Sequence, residues 1–157
     1  MNELANKFGD KLVILGVPCN QFGHQTNEDD TEFMNCLKYV RPGKGFEPKC
    51  EIFSKVHVNG RDAKPLFKFV KSAIPIPYGE GDAGTDTKGN GVADNNILVR
   101  PRDNFNDTLV VPWAPIARND IAWNFEKFLI DKEGKVVQRF GRYFQCGRIA
   151  PFIEKLV

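Results

Sequence analysis

The sequence lacks the features that mark membrane and nucleic-acid-binding proteins. No apolar run approaches the roughly 20 residues that span a bilayer, and Met1 leads into a mixed polar stretch without a signal-peptide pattern. Lys and Arg number 22 against 20 Asp and Glu, so there is no broad basic field of the kind that nucleic-acid binding needs. We therefore expect no membrane and no nucleic-acid partner, and a cytoplasmic location.

Metal ligands are also scarce. There are 4 cysteines and 2 histidines. The cysteines are Cys19, Cys36, Cys50 and Cys146. None forms a Cys-x-x-Cys pair, and His24 and His57 do not complete a zinc spacing. We expect no metal site, and we interpret the cysteines as reduced thiols of an intracellular protein.

The length and the hydrophobic pattern predict one α/β domain over residues 1–157. Residues 1–8 read as the end of a helix that Gly9 stops. The apolar run 12–15 is short and rich in branched residues, which predicts a central strand buried on both faces. Ligands commonly bind beyond the carboxyl end of such a strand. Residues 18–25 are therefore well placed for chemistry.

Further elements follow from spacing and turn residues. Asp29–Thr31 offer cap oxygens for a helix that ends at 41–43, and residues 52–58 predict a strand closed by a turn at 59–60. Asp62 is the expected cap of a second helix, with Leu66, Phe67, Val70 and Ala73 on one face. Residues 78–96 read as a long surface loop. Residues 125–130 and 135–140 predict a hairpin, and 149–156 predict a final helix.

Three neutral donors attract most interest. Gln21 follows the buried strand, and Trp123 and Asn124 stand next to each other. Neutral N–H donors that converge on one atom lower the pKa of an anionic sulfur or selenium. Spacing alone does not bring these residues together, and a Trp beside a strand is more often a core residue.

Charged and thiol side chains are weaker candidates. Arg139, Arg142 and Arg148 lie close together in the sequence, which suits either a solvated face or a clamp for carboxylates. Cys19 follows the buried strand and is a packed thiol or a redox residue. Cys36 lies in a predicted helix, where it faces either core or solvent.

Several long motifs then resemble one family. Residues 18–25 read Pro-Cys-Asn-Gln-Phe-Gly-His-Gln and closely resemble the signature of the glutathione peroxidases. Residues 37–43, 58–60 and 123–129 resemble further blocks of that family in the same order. Residues 1–4 resemble the middle of the first helix of its thioredoxin-like fold. The resemblance extends over essentially the whole chain, which makes it more specific than any single short pattern.

The resemblance implies an oxidoreductase that protects against oxidative stress. Such a peroxidase reduces hydrogen peroxide and organic hydroperoxides, with glutathione as co-substrate and no metal or other cofactor. It also implies that Gln21, Trp123 and Asn124 are three members of a catalytic tetrad, and that Arg41 and Arg142, assisted by Arg139, bind glutathione. The motif 39–43, with its Arg41, is similar to the corresponding motif of the tetramer-forming, selenocysteine-using branch. This similarity predicts a homotetramer.

The fourth tetrad member has no counterpart in the sequence. The resemblance places a selenocysteine or cysteine ahead of Met1, so we expect the chain to lack the N-terminal strands and the start of the first helix. Because a secretion signal would lie in that expected upstream segment, secretion stays an open alternative. Two alternatives remain: a non-catalytic fragment or paralogue, and a thiol peroxidase in which Cys19 or Cys36 is the nucleophile. Residues 78–106 and Tyr143 also depart from the family pattern.

Overall fold

In the computed structural model, residues 1–78, 111–142 and 144–157 are described. They fall into two units. The first comprises Met1–Asn20, His24–Val56 and Cys146–Val157, and the second comprises Gln21–Gly23 and the described part of His57–Gln145. The single domain expected from the length stays a prediction. Most of the long loop expected at 78–96 lies outside the described residues.

The first unit contains a parallel strand pair joined by a helix. Strand β1 (Leu15–Gly16) pairs in parallel with β2 (Glu51–Ile52), and helix α2 (Asp30–Asn35) lies between them in the chain. Parallel strands need a long crossover, which a helix commonly supplies. This β-α-β order agrees with the predicted α/β class.

Both strands of this pair are shorter and more exposed than the sequence predicts. Val13 is 71% exposed and Leu15 is 52% exposed, so burial of 12–15 on both faces is wrong. Alternate residues of an extended chain point to opposite faces, and Val13 and Leu15 share the exposed one. The strand expected at 52–58 is limited to β2, but the turn at 59–60 is present, with Gly60 at φ +78°.

Helix α2 begins as predicted. The Asp29 side chain accepts a hydrogen bond from the Glu32 backbone N–H at 2.8 Å, and the Glu32 side chain accepts one from the Asp29 N–H at 3.1 Å. This capping box satisfies two N–H groups that a helix start leaves unpaired. The helix continues into a wider turn over Cys36–Val40 and ends at Arg41, which donates its N–H to the Cys36 carbonyl.

The two ends of the chain belong to the first unit. Helix α1 (Asn2–Phe8) ends at Gly9, whose φ of +53° suits glycine. Helix α4 (Ala150–Ile153) follows a short turn over Cys146–Ile149. Lys7 and Glu154 form an exposed ion pair at 2.6 Å between α1 and the end of α4. The predicted helices at both ends of the chain are therefore present, with shorter bounds at the C-terminus.

The first helix of the second unit is α3 (Pro65–Ala73). Its N-cap is Lys64, so the expected cap at Asp62 is wrong; Pro65 provides the preset φ of a first turn instead. Val70 is buried on the predicted face, whereas Leu66 is exposed.

An antiparallel hairpin completes the second unit. Strands β3 (Lys127–Ile130) and β4 (Val136–Phe140) pair with a register irregularity between Leu129 and Ile130. The predicted hairpin is confirmed, with its turn at 131–134. Phe140 is fully buried and stacks on Phe144 at 4.9 Å between ring centroids. In the chain, these two rings lie on either side of the loop that carries Arg142.

Candidate active site

The Gln21 side chain is buried and held by the turn before α3. Gln21 is 6% exposed. Its Oε1 accepts hydrogen bonds from the N–H groups of Val58 at 2.8 Å and Asn59 at 3.0 Å, and its Nε2 donates to the Asn59 carbonyl at 3.1 Å. Two N–H donors require a carbonyl oxygen opposite them, so the amide has one orientation. Its oxygen faces the backbone and its nitrogen is the donating end.

Asn59 links this turn to the segment before Trp123. Its backbone bonds with Gln21, while its side chain bonds with the backbone of Ile121. Asn59 Nδ2 donates to the Ile121 carbonyl at 2.8 Å, and the Ile121 N–H donates to Asn59 Oδ1 at 3.0 Å. Asn59 is 1% exposed, so this pairing replaces water in the interior. Trp123 lies only two residues beyond the segment that Asn59 holds.

Trp123 and Asn124 lie on a tight loop and are half-buried. The ring of Trp123 lies 5.9 Å from the ring of Phe22, the residue after Gln21. Glu126 Oε1 accepts the Ala122 N–H at 2.6 Å, which closes the loop. Phe125 is 81% exposed and has φ +66°, a conformation that costs a non-glycine residue about 1–3 kcal/mol. Such strain is common where a loop presents functional side chains.

Arg139 does not lie where a substrate clamp would. It is 1% exposed, and its guanidinium contacts Glu126 through Nε at 2.8 Å and Nη2 at 2.7 Å. Its Nη atoms also donate to the backbone carbonyls of Ile74, Pro75, Asn119 and Asp120. These acceptors occupy all of the N–H donors of the guanidinium, so this setting gives no support to the expected assistance in glutathione binding, which stays a prediction. Burial raises the pKa of Glu126, and the Arg139 charge opposes that shift.

The other two predicted arginines differ in setting. Arg142 is half-buried in the loop after β4. Lys127 Nζ donates to the carbonyls of Gly141, Arg142 and Phe144, which holds the backbone of that loop. Arg41 is exposed at the end of α2 and belongs to the first unit. The structure thus groups Gln21, Trp123, Asn124 and Arg142 in one unit, without Arg41.

Comparison with known proteins identifies the family. A family model described as glutathione peroxidase matches residues 1–71. Glutathione peroxidase 1 of Macaca fuscata fuscata is 44% identical over the whole chain, which covers 69% of that relative. The Sus scrofa protein of the same name is also 44% identical, with 67% of it covered. The chain belongs to the glutathione peroxidase family. These relatives support an oxidoreductase of the peroxidase type.

Solved structures support the fold. A crystal structure of T. cruzi GPX1 matches with a TM-score of 0.54 at 24% identity, and a crystal structure of Trgpx in apo form matches with 0.53 at 24%. The chain covers 66% and 63% of those two chains, just under two thirds of their length. The α/β, thioredoxin-like fold that the resemblance implied is confirmed for this glutathione peroxidase chain.

The described residues also bear on reactive thiols, metal-ligand groups and membrane-spanning helices. Cys19 is 8% exposed, and burial raises the pKa of Cys50. None of the four cysteines forms a disulfide within the described ranges. Among the same residues there is no group of three metal-ligating side chains. In the part of the chain that is described, no helix is long and apolar enough to cross a membrane.

Sequence reasoning missed the buried charges beside the family motifs. Lys71 and Asp120 form an ion pair at 2.8 Å with side chains only 7% and 2% exposed. The signal was present: Lys71 lies four residues after Phe67 and next to Val70, on the apolar stripe of α3. A lysine on such a stripe indicates a buried partner. The partner itself lies 49 residues away, and no spacing rule finds it.

Proposed function

We propose that this chain reduces hydrogen peroxide and organic hydroperoxides with glutathione, using Gln21, Trp123 and Asn124 as donors to the peroxide-attacking atom. The single orientation of the Gln21 amide carries the proposal, because its oxygen bonds to the Val58 and Asn59 N–H groups. Its nitrogen end is therefore the end that stabilises an anion. The Trp123 indole N–H and the Asn124 amide contribute donors of the same neutral kind.

The attacking residue in this proposal is a selenocysteine or cysteine that the family resemblance places ahead of Met1. Its anion attacks a peroxide oxygen, the O–O bond breaks, and the departing oxygen takes a proton to leave as water or an alcohol. Two glutathione thiols then reduce the resulting selenenic or sulfenic acid, releasing water and oxidised glutathione. Donors around the anion lower its pKa and keep it nucleophilic at neutral pH.

We also propose roles for two arginines in glutathione binding. Arg41 is exposed and Arg142 is half-buried, so both differ from the enclosed Arg139. A guanidinium forms paired, charge-assisted hydrogen bonds with a carboxylate, and glutathione carries two carboxylates. Each arginine replaced by Met should raise the KM for glutathione while leaving the rate of reaction with peroxide unchanged. An unchanged KM would remove that arginine from the proposal.

A homotetramer and a cytoplasmic location complete the proposal, and they rest on the family resemblance alone. Light scattering on the purified protein tests the first, since a monomer mass at micromolar concentration contradicts it. Cell fractionation tests the second, since recovery from the medium contradicts it.

The deciding assay is glutathione-coupled peroxide reduction. It compares this chain with a form extended in frame ahead of Met1 through the expected selenocysteine position, with cysteine placed there. Activity only in the extended form supports the proposal. Activity in the short chain that Cys19→Ser or Cys36→Ser abolishes would move the nucleophile to that thiol. Inactivity of both forms would favour a non-catalytic protein.

The donor role of Gln21 has its own test in the extended form. Gln21→Glu keeps an oxygen for the Val58 and Asn59 N–H groups but replaces the donating nitrogen by an acceptor. We expect the peroxide rate to fall on the order of 100-fold. The matched control is Gln138→Glu, the same change at a half-buried position of β4. Equal rates in the two variants would contradict the donor role.

A further inference from the structure

The donor side chain Gln21 and the loop that carries Trp123 share one support. That support is Asn59, which bonds to Gln21 through its backbone and to Ile121 through its side chain. A rotation of the Asn59 side chain would break both bonds to Ile121. The orientation of one amide therefore sets the relation between the two donor-bearing segments.

Lys71 fixes that orientation. Its Nζ donates to Asn59 Oδ1 at 2.9 Å and to Asp120 Oδ1 at 2.8 Å. Asn59 Oδ1 thus accepts hydrogen bonds from the Lys71 ammonium and from the Ile121 N–H. If the amide were flipped, its NH2 group would take the place of this oxygen and would face two donors without an acceptor. The ammonium makes a flip of the Asn59 amide unfavourable.

Asp120 holds the ammonium in place. Its second oxygen, Oδ2, accepts the indole N–H of Trp113 at 2.9 Å and the Ala117 N–H at 2.9 Å. The carboxylate therefore cannot turn away from Lys71 without losing two further bonds. The path of contacts runs from Asp120 to Lys71, to Asn59, and on to Gln21 and Ile121.

Stability alone does not explain two charges in this position. A buried ion pair contributes little over a well-packed apolar pair, since both ions lose their hydration. What this pair supplies is a unique arrangement of polar groups. We propose that Lys71, held by Asp120, is a positioning residue for peroxide reduction, acting through Asn59 on Gln21 and on the segment that leads to Trp123. This inference rests on the proposed function of Gln21.

The first test is hydrogen exchange on the chain itself. The Val58 and Asn59 N–H groups donate to Gln21 Oε1 and report whether that contact persists. Lys71→Met should speed their exchange at least about tenfold, while the amides of β4 keep their rates. Lys71→Arg, which retains a cation, should restore part of the protection. The control is Lys68→Met on the exposed side of the same helix, which should change neither.

The second test is a double-mutant cycle on the extended, active form. Gln21→Ala is used because it introduces no charge near Lys71. If Lys71 acts through Gln21, Lys71→Met alone lowers the peroxide rate on the order of tenfold. In the Gln21→Ala background only the route through the segment that leads to Trp123 remains, so Lys71→Met should lower the rate by less than about threefold. Both variants should also shift the pH profile of iodoacetamide alkylation of the attacking residue to higher pH, since its anion loses a donor.

A double variant without either buried charge controls for the possibility that Lys71→Met alone prevents folding. In Lys71→Met with Asp120→Asn, the Asn carbonyl still accepts from Trp113, and no unpaired charge remains. This double variant should fold and still show the lowered rate. Full activity in it, or independent effects of the Lys71 and Gln21 changes, would overturn the positioning role. If Gln21→Ala leaves the rate unchanged, the proposed function of Gln21 fails instead.

Discussion

Replacement of Arg139 by Met is the sharpest test of the buried structure in the second unit. The change removes a cation from beside Glu126, whose side chain is 1% exposed. It also removes the donors that four backbone carbonyls accept, those of Ile74, Pro75, Asn119 and Asp120. Methionine fills much of the volume but offers no donor. The variant therefore isolates the polar contribution of the guanidinium.

The expected cost is large. Breaking a buried ion pair by removing one partner costs about 3–5 kcal/mol, because the other charge stays buried and unpaired. The four backbone carbonyls that lose their donor add to this cost unless water reaches them. We therefore expect a loss of unfolding free energy at the upper end of the range. With a urea m-value of about 2 kcal/mol/M, a loss of about 4 kcal/mol lowers the unfolding midpoint by about 2 M.

The loss should depend on pH with a definite sign. Burial raises the pKa of Glu126, and Arg139 opposes the shift, so the pKa rises further in Arg139→Met. A carboxyl with a raised pKa binds its proton more tightly in the folded chain. Stability is then greatest below the unfolded value of about 4.3 and falls as pH rises toward the folded pKa. The deficit of the variant should widen over that window by at most about 1.4 kcal/mol per pH unit.

Urea titrations followed by tryptophan fluorescence at pH 5 and pH 8 measure both effects. Arg139→Lys serves as the control, because it keeps the charge and loses the fork. A deficit below about 1 kcal/mol that does not change with pH would refute the reasoning from burial. Intact stability with a raised KM for glutathione would instead restore Arg139 as a substrate clamp.

Two further changes test local geometry by the same titrations. In Gly60→Ala, the φ of +78° gives a backbone cost of about 1–2 kcal/mol, and a Cβ that would lie 2.8 Å from the Trp113 Cβ gives an overlap cost of about 1–3 kcal/mol. The free energy of unfolding should therefore fall by about 2–5 kcal/mol. Gly134→Ala has φ +84° and no atom within 4 Å, so only the backbone cost is expected there, and equal losses would contradict the overlap. Asp29→Ala should cost about 0.5–2 kcal/mol through loss of the capping box, and Asp29→Asn should retain most of the stability; equal losses in both would argue against the cap.

Local signals predicted the elements well and the strand environments poorly. The cap at Asp29 and the hairpin turn at 131–134 depend on residues within a few positions of each other, and both are present. The exposure of Leu15 depends on which segments pair with its strand and cover it. A short apolar run does not contain that information. The cap at Asp62 failed for a related reason, because Pro65 supplied a different helix start.

In the candidate site, too, local motifs predicted some features, and contacts between distant residues determined the others. The family motifs named Gln21, Trp123 and Asn124, and the contact of Phe22 with Trp123 accords with their proximity. The motifs did not reveal that Arg139 is enclosed, because its carbonyl partners lie up to 65 residues away. Carbonyl groups are present in every residue and leave no mark in a sequence. Only the folded chain distinguishes an arginine that binds backbone from one that faces a ligand.

The hydrogen bonds of Asn59 with Gln21 and with Ile121 join distant parts of the chain. Gln21 lies 38 residues before Asn59, and Ile121 lies 62 residues after it. No single helix or hairpin holds both ends of any of these bonds. A partly folded chain that keeps its secondary structure but has not closed these long loops therefore has no Gln21 site. The Gln21 geometry is a property of complete folding, so under the proposed donor role an attacking selenium or sulfur atom would be activated only when folding of this unit is finished.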